Sequence, residues 1–220
     1  MLQIDVKKWV GIAVVDIYGI GNPLIDIVMN GSYDSLAELS AEPGSMNLVG
    51  RRFQDRVVEL GTEHFLTAGG SASNTLRAVA TLARASGDRF RLVYTGGIGA
   101  DDRGAEFSEN LRAMGVEVAV TPVTSPTGIS AILVTPDYER TMFTFLGACR
   151  ELDDQHVRYD LLTDSRIFHT TGYMWDTDNQ RQAIDRAIST AGEAGAFVSF
   201  DIADPFVVER YAEDLRAFLP

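Results

Sequence analysis

The sequence predicts an α/β fold in which helices wrap a largely parallel sheet and a second, smaller β-sheet stands partly apart. Three observations predict it. Apolar β-rich runs alternate with stretches of 3.6-residue periodicity, glycine-rich turns sit where strands give way to helices, and residues 116–145 hold several β-rich runs with no helix signal between them. With 220 residues, 45% hydrophobic and 23% charged, the chain can bury a substantial core as one domain.

In chain order, residues 9–15 form an apolar run behind Lys7 and Lys8. Asp16 interrupts that run and no small-x-small site follows, so an initial strand or a leader is expected in place of a signal peptide. A strand over 17–20 then runs into Gly21-Asn22-Pro23-Leu24-Ile25-Asp26, where Asn22 and Asp26 form a short polar pair. Strands are expected over 25–30 and 45–49.

The strand-like stretch 63–67 leads to Gly69-Gly70-Ser71-Ala72-Ser73-Asn74. Paired glycines let a ligand approach bare backbone, and the helix that follows turns free N–H groups toward it, so the turn suits an oxygen-rich ligand. The same residues also serve as plain strand-to-helix punctuation. Leu76, Val79, Ala80 and Ala83 set the apolar face of that helix, while Arg77 and Arg84 fall elsewhere and Asn74 sits in its first turn. A second glycine cluster, 96–104, follows the apolar run 92–95; Asp101 is placed as the N-cap of a helix that carries Phe107, Leu111 and Met114 on one face and ends at Gly115.

The runs 116–120, 129–135 and 141–145 come next and, with 25–30 and 45–49, are assigned to the smaller sheet. The α/β alternation resumes with a strand over 166–171, a helix with Ile184, Ala187, Ile188 and Ala191 on one face, a strand over 197–202, and a last helix opened by Asp204-Pro205-Phe206.

A net charge of −12 argues against a nucleic-acid partner, and no run approaches the roughly 20 apolar residues of a membrane helix. Cys149 stands alone, so no disulfide framework exists and a reducing cytoplasm is the expected setting. His64, His156 and His169 have no metal-ligand spacing.

Gly-Asn-Pro-Leu-Ile-Asp at 21–26, Gly-Gly-x-x-x-Asn at 69–74, the Gly-x-x-Gly-x-Asp-x-x-Gly run at 96–104 and Pro126-Thr127-Gly128 together resemble the ribokinase-like carbohydrate kinases, the phosphofructokinase B family, and within it the adenosine kinase-like branch. The resemblance implies a three-layer α/β/α fold whose small β-sheet is a lid, contributed by about 25–49 and 116–147, closing over a sugar and offering a homodimer contact. It implies an ATP- and magnesium-dependent kinase that phosphorylates a hydroxymethyl group of a small sugar or nucleoside. By that resemblance Asp26 accepts two adjacent ribose hydroxyls with Asn22 beside it, Gly69, Gly70 and Asn74 supply further sugar contacts, Arg140 reaches the transferred phosphate, and Tyr173 stacks on a base. From the residues alone, Asp26 reads as a solvated turn carboxylate, Arg140 equally as a surface arginine paired with Glu139 or Asp137, and Tyr173 equally as an ordinary strand-end aromatic.

The chain departs from the family pattern in one respect. None of its six asparagines has Glu three positions later, and no Gly-Ala-Gly-Asp segment occurs; Ala85-Ser86-Gly87-Asp88 shares only a Gly-Asp pair, at the end of a helix. The catalytic base and anion hole are therefore expected to lie outside residues 1–220, with no catalytic or metal-ligating residue among them. That leaves an incomplete ribokinase-like domain, inactive alone. A non-catalytic sugar- or nucleoside-binding protein is one alternative. A nicotinamide-dependent oxidoreductase is another, although the 96–104 spacing does not supply the Gly-x-Gly-x-x-Gly such folds need.

Overall fold

The computed structural model describes residues 15–218, so the reading of 9–14 lies outside it. The elements are β1 (Val15–Ile20), β2 (Leu24–Asn30), α1 (Tyr33–Glu38), β3 (Met46–Leu48), α2 (Arg51–Leu60), β4 (Thr62–Gly69), α3 (Ser71–Ser86), β5 (Leu92–Thr95), β6 (Gly97–Gly99) and α4 (Asp102–Ala113). They continue with β7 (Val116–Val118), β8 (Thr121–Val123), β9 (Gly128–Val134), β10 (Arg140–Phe145), α5 (Tyr159–Thr163), β11 (Ser165–Thr171), α6 (Asp178–Glu193), β12 (Phe197–Asp201), α7 (Pro205–Arg210) and α8 (Ala212–Phe218).

The main sheet runs β12-β11-β1-β5-β7 with every pairing parallel. Parallel strands need crossovers, and helices on both faces explain why the central strands read as unbroken apolar runs. On one face α6 packs Ala183, Ile184, Ala187 and Ala191 against Tyr18, Val93 and Phe168. On the other, α3 and α4 bring Leu76, Ala80, Phe107 and Leu111 against Leu92 and Tyr94. The buried hydroxyl of Tyr18 exchanges a hydrogen bond with Thr95 Oγ1 at 2.9 Å and accepts the Arg158 N–H at 3.0 Å, so its polar end costs little in the core. The helix ends follow local chemistry: Asp101 accepts the Gly104 N–H to open α4, and Gly87 takes φ +81° to close α3.

A second sheet runs β3-β10-β9-β2-β4 and mixes parallel with antiparallel pairs. Its membership differs from the sequence assignment in two places. Residues 116–118 form β7 at the edge of the main sheet, where Val116 is buried against the α4 side, and 121–123 form β8, paired only with β6. Three-residue strands are too short for alternation to reveal which sheet they join. In their place β4 completes the second sheet as the antiparallel partner of β2. The short helices α1, α2 and α5 were not foreseen; α2 has an apolar stripe narrow enough to bury only Gln54 and Val57.

Candidate functional site

The two sheets meet at a three-residue hop. β1 ends at Ile20, Gly21-Asn22-Pro23 crosses over, and β2 begins at Leu24 in the other sheet. Beside this crossing lies a cavity of about 220 Å³. Alternation along β2 sends Ile25, Ile27 and Met29 into the core, leaving Leu24, Asp26 and Val28 on the half-buried face. Leu24 and Asp26 line the cavity. Asp26 thus belongs to a strand and is not a solvated turn carboxylate.

Burial raises the Asp26 carboxyl to a pKa of about 6, while the positive charges of Arg77 and Arg140 oppose the rise. Gly69 makes room for it: a Cβ there would lie 2.1 Å from Asp26 Oδ1. Gly69 is a cradle under the carboxylate and does not itself line the cavity. Gly70 does line it, with φ +89°, and a Cβ there would sit 2.2 Å from the Asn22 carbonyl oxygen. Both the backbone conformation and this close approach require glycine.

Asn74, one turn into α3, presents its side chain to the cavity. Its Oδ1 accepts from Arg77 Nη1 at 3.0 Å, and Arg77 also donates to the Ala68 carbonyl at 2.6 Å. With the carbonyl occupied, the amide N–H groups of Asn74 are left to donate. Arg77 escapes sequence reading because it lies off the apolar face of α3. The signal was its spacing, three residues after Asn74.

Asn22 also borders the cavity, but its side chain is only 8% exposed and committed to protein: Oδ1 accepts from Gln180 Nε2 at 3.0 Å and Nδ2 donates to the Tyr173 carbonyl at 3.4 Å. It fixes the crossing against the turn Gly172–Trp175 that follows β11. Tyr173, in that turn, lines the cavity half-buried, and burial followed by the charges of Asp204 and Asp201 raises its hydroxyl to about 12. Arg140 opens β10 and faces the same cavity. Asp137, one candidate partner for it, instead accepts from Thr135 Oγ1 at 2.6 Å.

Asn22, Asp26, Gly70, Asn74, Arg140 and Tyr173 therefore share one cavity, and Gly69 supports it from behind. The second sheet adds an apolar wall from Met46, Leu48, Ile132, Met142 and Leu146. A third wall was missed: Phe206, Val207, Arg210 and Tyr211 of α7 and its end, with Asp176. The signal for it was Phe206, an aromatic set directly after a strand-to-helix turn. Chemically, the cavity offers a carboxylate acceptor able to take two hydroxyls, an amide donor, cations from Arg140 and Arg210, and aromatic and aliphatic surface.

The second glycine cluster lies elsewhere, and none of 96–104 lines the cavity. Asp101 Oδ1 and Oδ2 accept from Thr127 Oγ1 and N at 2.6 and 2.8 Å, and Thr127 Oγ1 accepts the Gly99 N–H at 3.1 Å. Burial alone would raise the Asp101 carboxyl, but the hydrogen bonds from Thr127 and Gly104 outweigh it and hold it below the usual carboxylate range. These residues brace the turn from which β9 starts. Among the described residues no group of three or more His, Cys, Asp or Glu could hold a metal ion. No described helix is long and apolar enough to cross a membrane.

Comparison with known proteins gives a consistent result. The family model of the pfkB family carbohydrate kinases matches residues 44–220. The crystal structure of adenosine kinase from Sinorhizobium meliloti superposes with a TM-score of 0.86 at 32% identity, covering 93% of this chain and 62% of that one. A probable sugar kinase from Rhizobium etli superposes with a TM-score of 0.86 at 30% identity, covering 93% and 61%. The adenosine kinase of Dictyostelium discoideum is 24% identical over 207 residues, 91% of this chain and 59% of that protein. The chain thus spans about three-fifths of the length of these relatives.

Proposed function

The chain belongs to the pfkB family carbohydrate kinases, with the ribokinase-like α/β fold, and on that premise we propose that its cavity binds a nucleoside, adenosine or a close analogue, whose hydroxymethyl group an ATP-dependent kinase phosphorylates. One observation carries the reading: a single cavity is lined by the Asp26 carboxylate, the Asn74 amide and Arg140 together with the rings of Tyr173, Phe206 and Tyr211. A free hexose would leave these rings without a partner, whereas a ribose carrying a planar base engages both the polar groups and the rings. Asp26 accepts the two ribose hydroxyls, Asn74 donates to a ring or hydroxyl oxygen, Arg140 lies where transferred phosphate would need a countercharge, and Tyr173 packs on the base.

Proton abstraction from the attacking hydroxyl needs a base, and the family's Gly-Ala-Gly-Asp segment is absent from these residues. We therefore assign to residues 1–220 the sugar side of the reaction, without turnover. ATP enters as the family's phosphoryl donor. The lid reading of the second sheet is retained for β2, β3, β4, β9 and β10. Its outer strand β4 leaves Phe65 65% and Leu66 42% exposed along an open sheet edge, which supports pairing with a second copy. The fully buried, lone Cys149 accords with a reducing cytoplasm.

The test is calorimetric titration of the purified chain with adenosine and with glucose, followed by an ATP turnover assay. Binding of adenosine but not glucose, with no ADP formed, is expected. Glucose binding as tightly as adenosine would refute the substrate reading, and ADP formation at the rate of a complete kinase would refute the assignment of the base.

A further inference from the structure

We infer that Asp176 is a positioning residue that latches the aromatic wall over the cavity, and so sets preference for a ligand carrying a planar base over the bare sugar; this rests on the nucleoside reading above. Asp176 ends the turn after β11, and its side chain is only 7% exposed. Oδ2 accepts from Arg150 Nε at 2.7 Å and Oδ1 accepts from Arg210 Nη1 at 3.2 Å. One buried carboxylate thus holds two guanidinium groups.

The two arginines come from opposite sides. Arg150 lies in the turn directly after the second sheet, and that turn is pinned to α6 by Asn179 Nδ2, which donates to the Arg150 and Leu152 carbonyls at 2.8 and 2.6 Å. Arg210 closes α7, and its guanidinium lies 5.8 Å from the Phe206 ring centroid and 5.3 Å from that of Tyr211, the two rings of the third wall. Asp176 therefore acts on the aromatic surface through Arg210, with the fixed 147–151 turn as its anchor.

The six-residue α7 cannot hold this position by itself, because so short a helix is not stable alone. Several contacts fasten it to the body. Val207 packs onto Gly172, where a Cβ would come within 2.7 Å of its Cγ1, and Arg210 is tied to Asp176. Val207 sits one turn before Arg210 and fixes the start of the helix; the end that carries Tyr211 is held by the ion pair, by the edge-on ring of Trp175 and, through α8, by Arg181 Nη2 donating to Asp214 Oδ1 at 2.7 Å. Replacing the carboxylate by an amide removes the charge that keeps Arg150 and Arg210 together, and the C-terminal end of α7, still joined to the anchored α8, is freer to move with its rings.

The polar groups of the cavity on β2 and α3 are untouched by such a change. In Asp176→Asn the dissociation constant for adenosine is expected to rise at least about tenfold, while that for D-ribose, titrated at millimolar concentration, moves less than about threefold. The ring of Trp175 meets Tyr211 edge-on at 6.0 Å, so in a Trp9→Phe background its emission should shift to the red as Tyr211 leaves. Arg210→Met, which keeps the stem at an exposed position and removes the ion pair, should reproduce all three results even if Asp176→Asn folds poorly. A parallel loss of ribose and adenosine affinity, or adenosine affinity within about threefold of the parent in Arg210→Met, overturns the latch. A parent chain that binds adenosine no better than ribose removes the nucleoside reading itself, a failure visible before either variant is made.

Discussion

If Asp26 takes two hydroxyls of the ligand, only its ionised form can do so, and its raised pKa makes the affinity depend on pH in a range where free carboxyls do not titrate. With a pKa of about 6, the carboxyl is ionised in nearly every molecule at pH 7.5 and in about one in eleven at pH 5. Adenosine affinity should be flat above pH 7, bend near 6, and fall about tenfold per pH unit below it. Asp26→Ala should cost about 2–4 kcal/mol of binding at pH 7.5, the loss of a charge-assisted pair of hydrogen bonds, and should abolish the bend. The assay is isothermal titration between pH 5 and 8 in buffers of matched ionic strength. An affinity constant across that range in the parent chain, or a bend at pH 6 that persists in Asp26→Ala, would refute the reasoning.

Three further outcomes follow from the same geometry. Because the folded state binds the Asp26 proton more tightly than the unfolded chain, the ionised carboxylate costs stability above its folded pKa, on the order of 3 kcal/mol for a rise from 3.8 to about 6. Asp26→Asn should therefore raise the melting temperature at pH 8, with the gain shrinking as pH falls through 6 and gone below 4; a gain equal at pH 8 and pH 4 would contradict this. Gly69→Ala should displace the Asp26 carboxylate and weaken adenosine binding at least about tenfold, while Gly50→Ala, with nothing within 4 Å of its added methyl, serves as the neutral comparison in the same titration. Phe65→Glu combined with Leu66→Glu should convert a dimer to monomer by light scattering, and a parent chain already monomeric at high concentration would remove the β4 edge as an interface.

Long periodic elements were legible in the sequence and short ones were not. The stripes on α3, α4 and α6 run for three turns or more, so their buried residues could be named in advance. By contrast β7 and β8 have three residues each, and their sheet depends on neighbours far along the chain. In the site, the residues brought together were those carried by motifs; Asp176, Arg210 and Tyr211 carry no motif, and only the return of α7 to the cavity gathers them. Gly70 shows a subtler limit. A glycine pair announces that backbone comes close to something, but sequence cannot say whether that is a ligand or, as with the Asn22 carbonyl, the protein itself. The 96–104 cluster makes the same point, since its glycines admit Thr127 and the backbone around it.

The hop at 21–23 joins two sheets that otherwise have separate hydrogen-bond ladders, and the ligand cavity lies across that seam. The part of the cavity that carries Asp26 stands on β2, an interior strand paired on both sides, while the part that carries Phe206 and Tyr211 rests on a peripheral six-residue helix. Encounter is then ordered in time. On the proposed nucleoside reading the sugar docks first at Asp26 and the α7 wall closes the contact, so changes at β2 should register in both rate constants and changes at α7 mainly in dissociation.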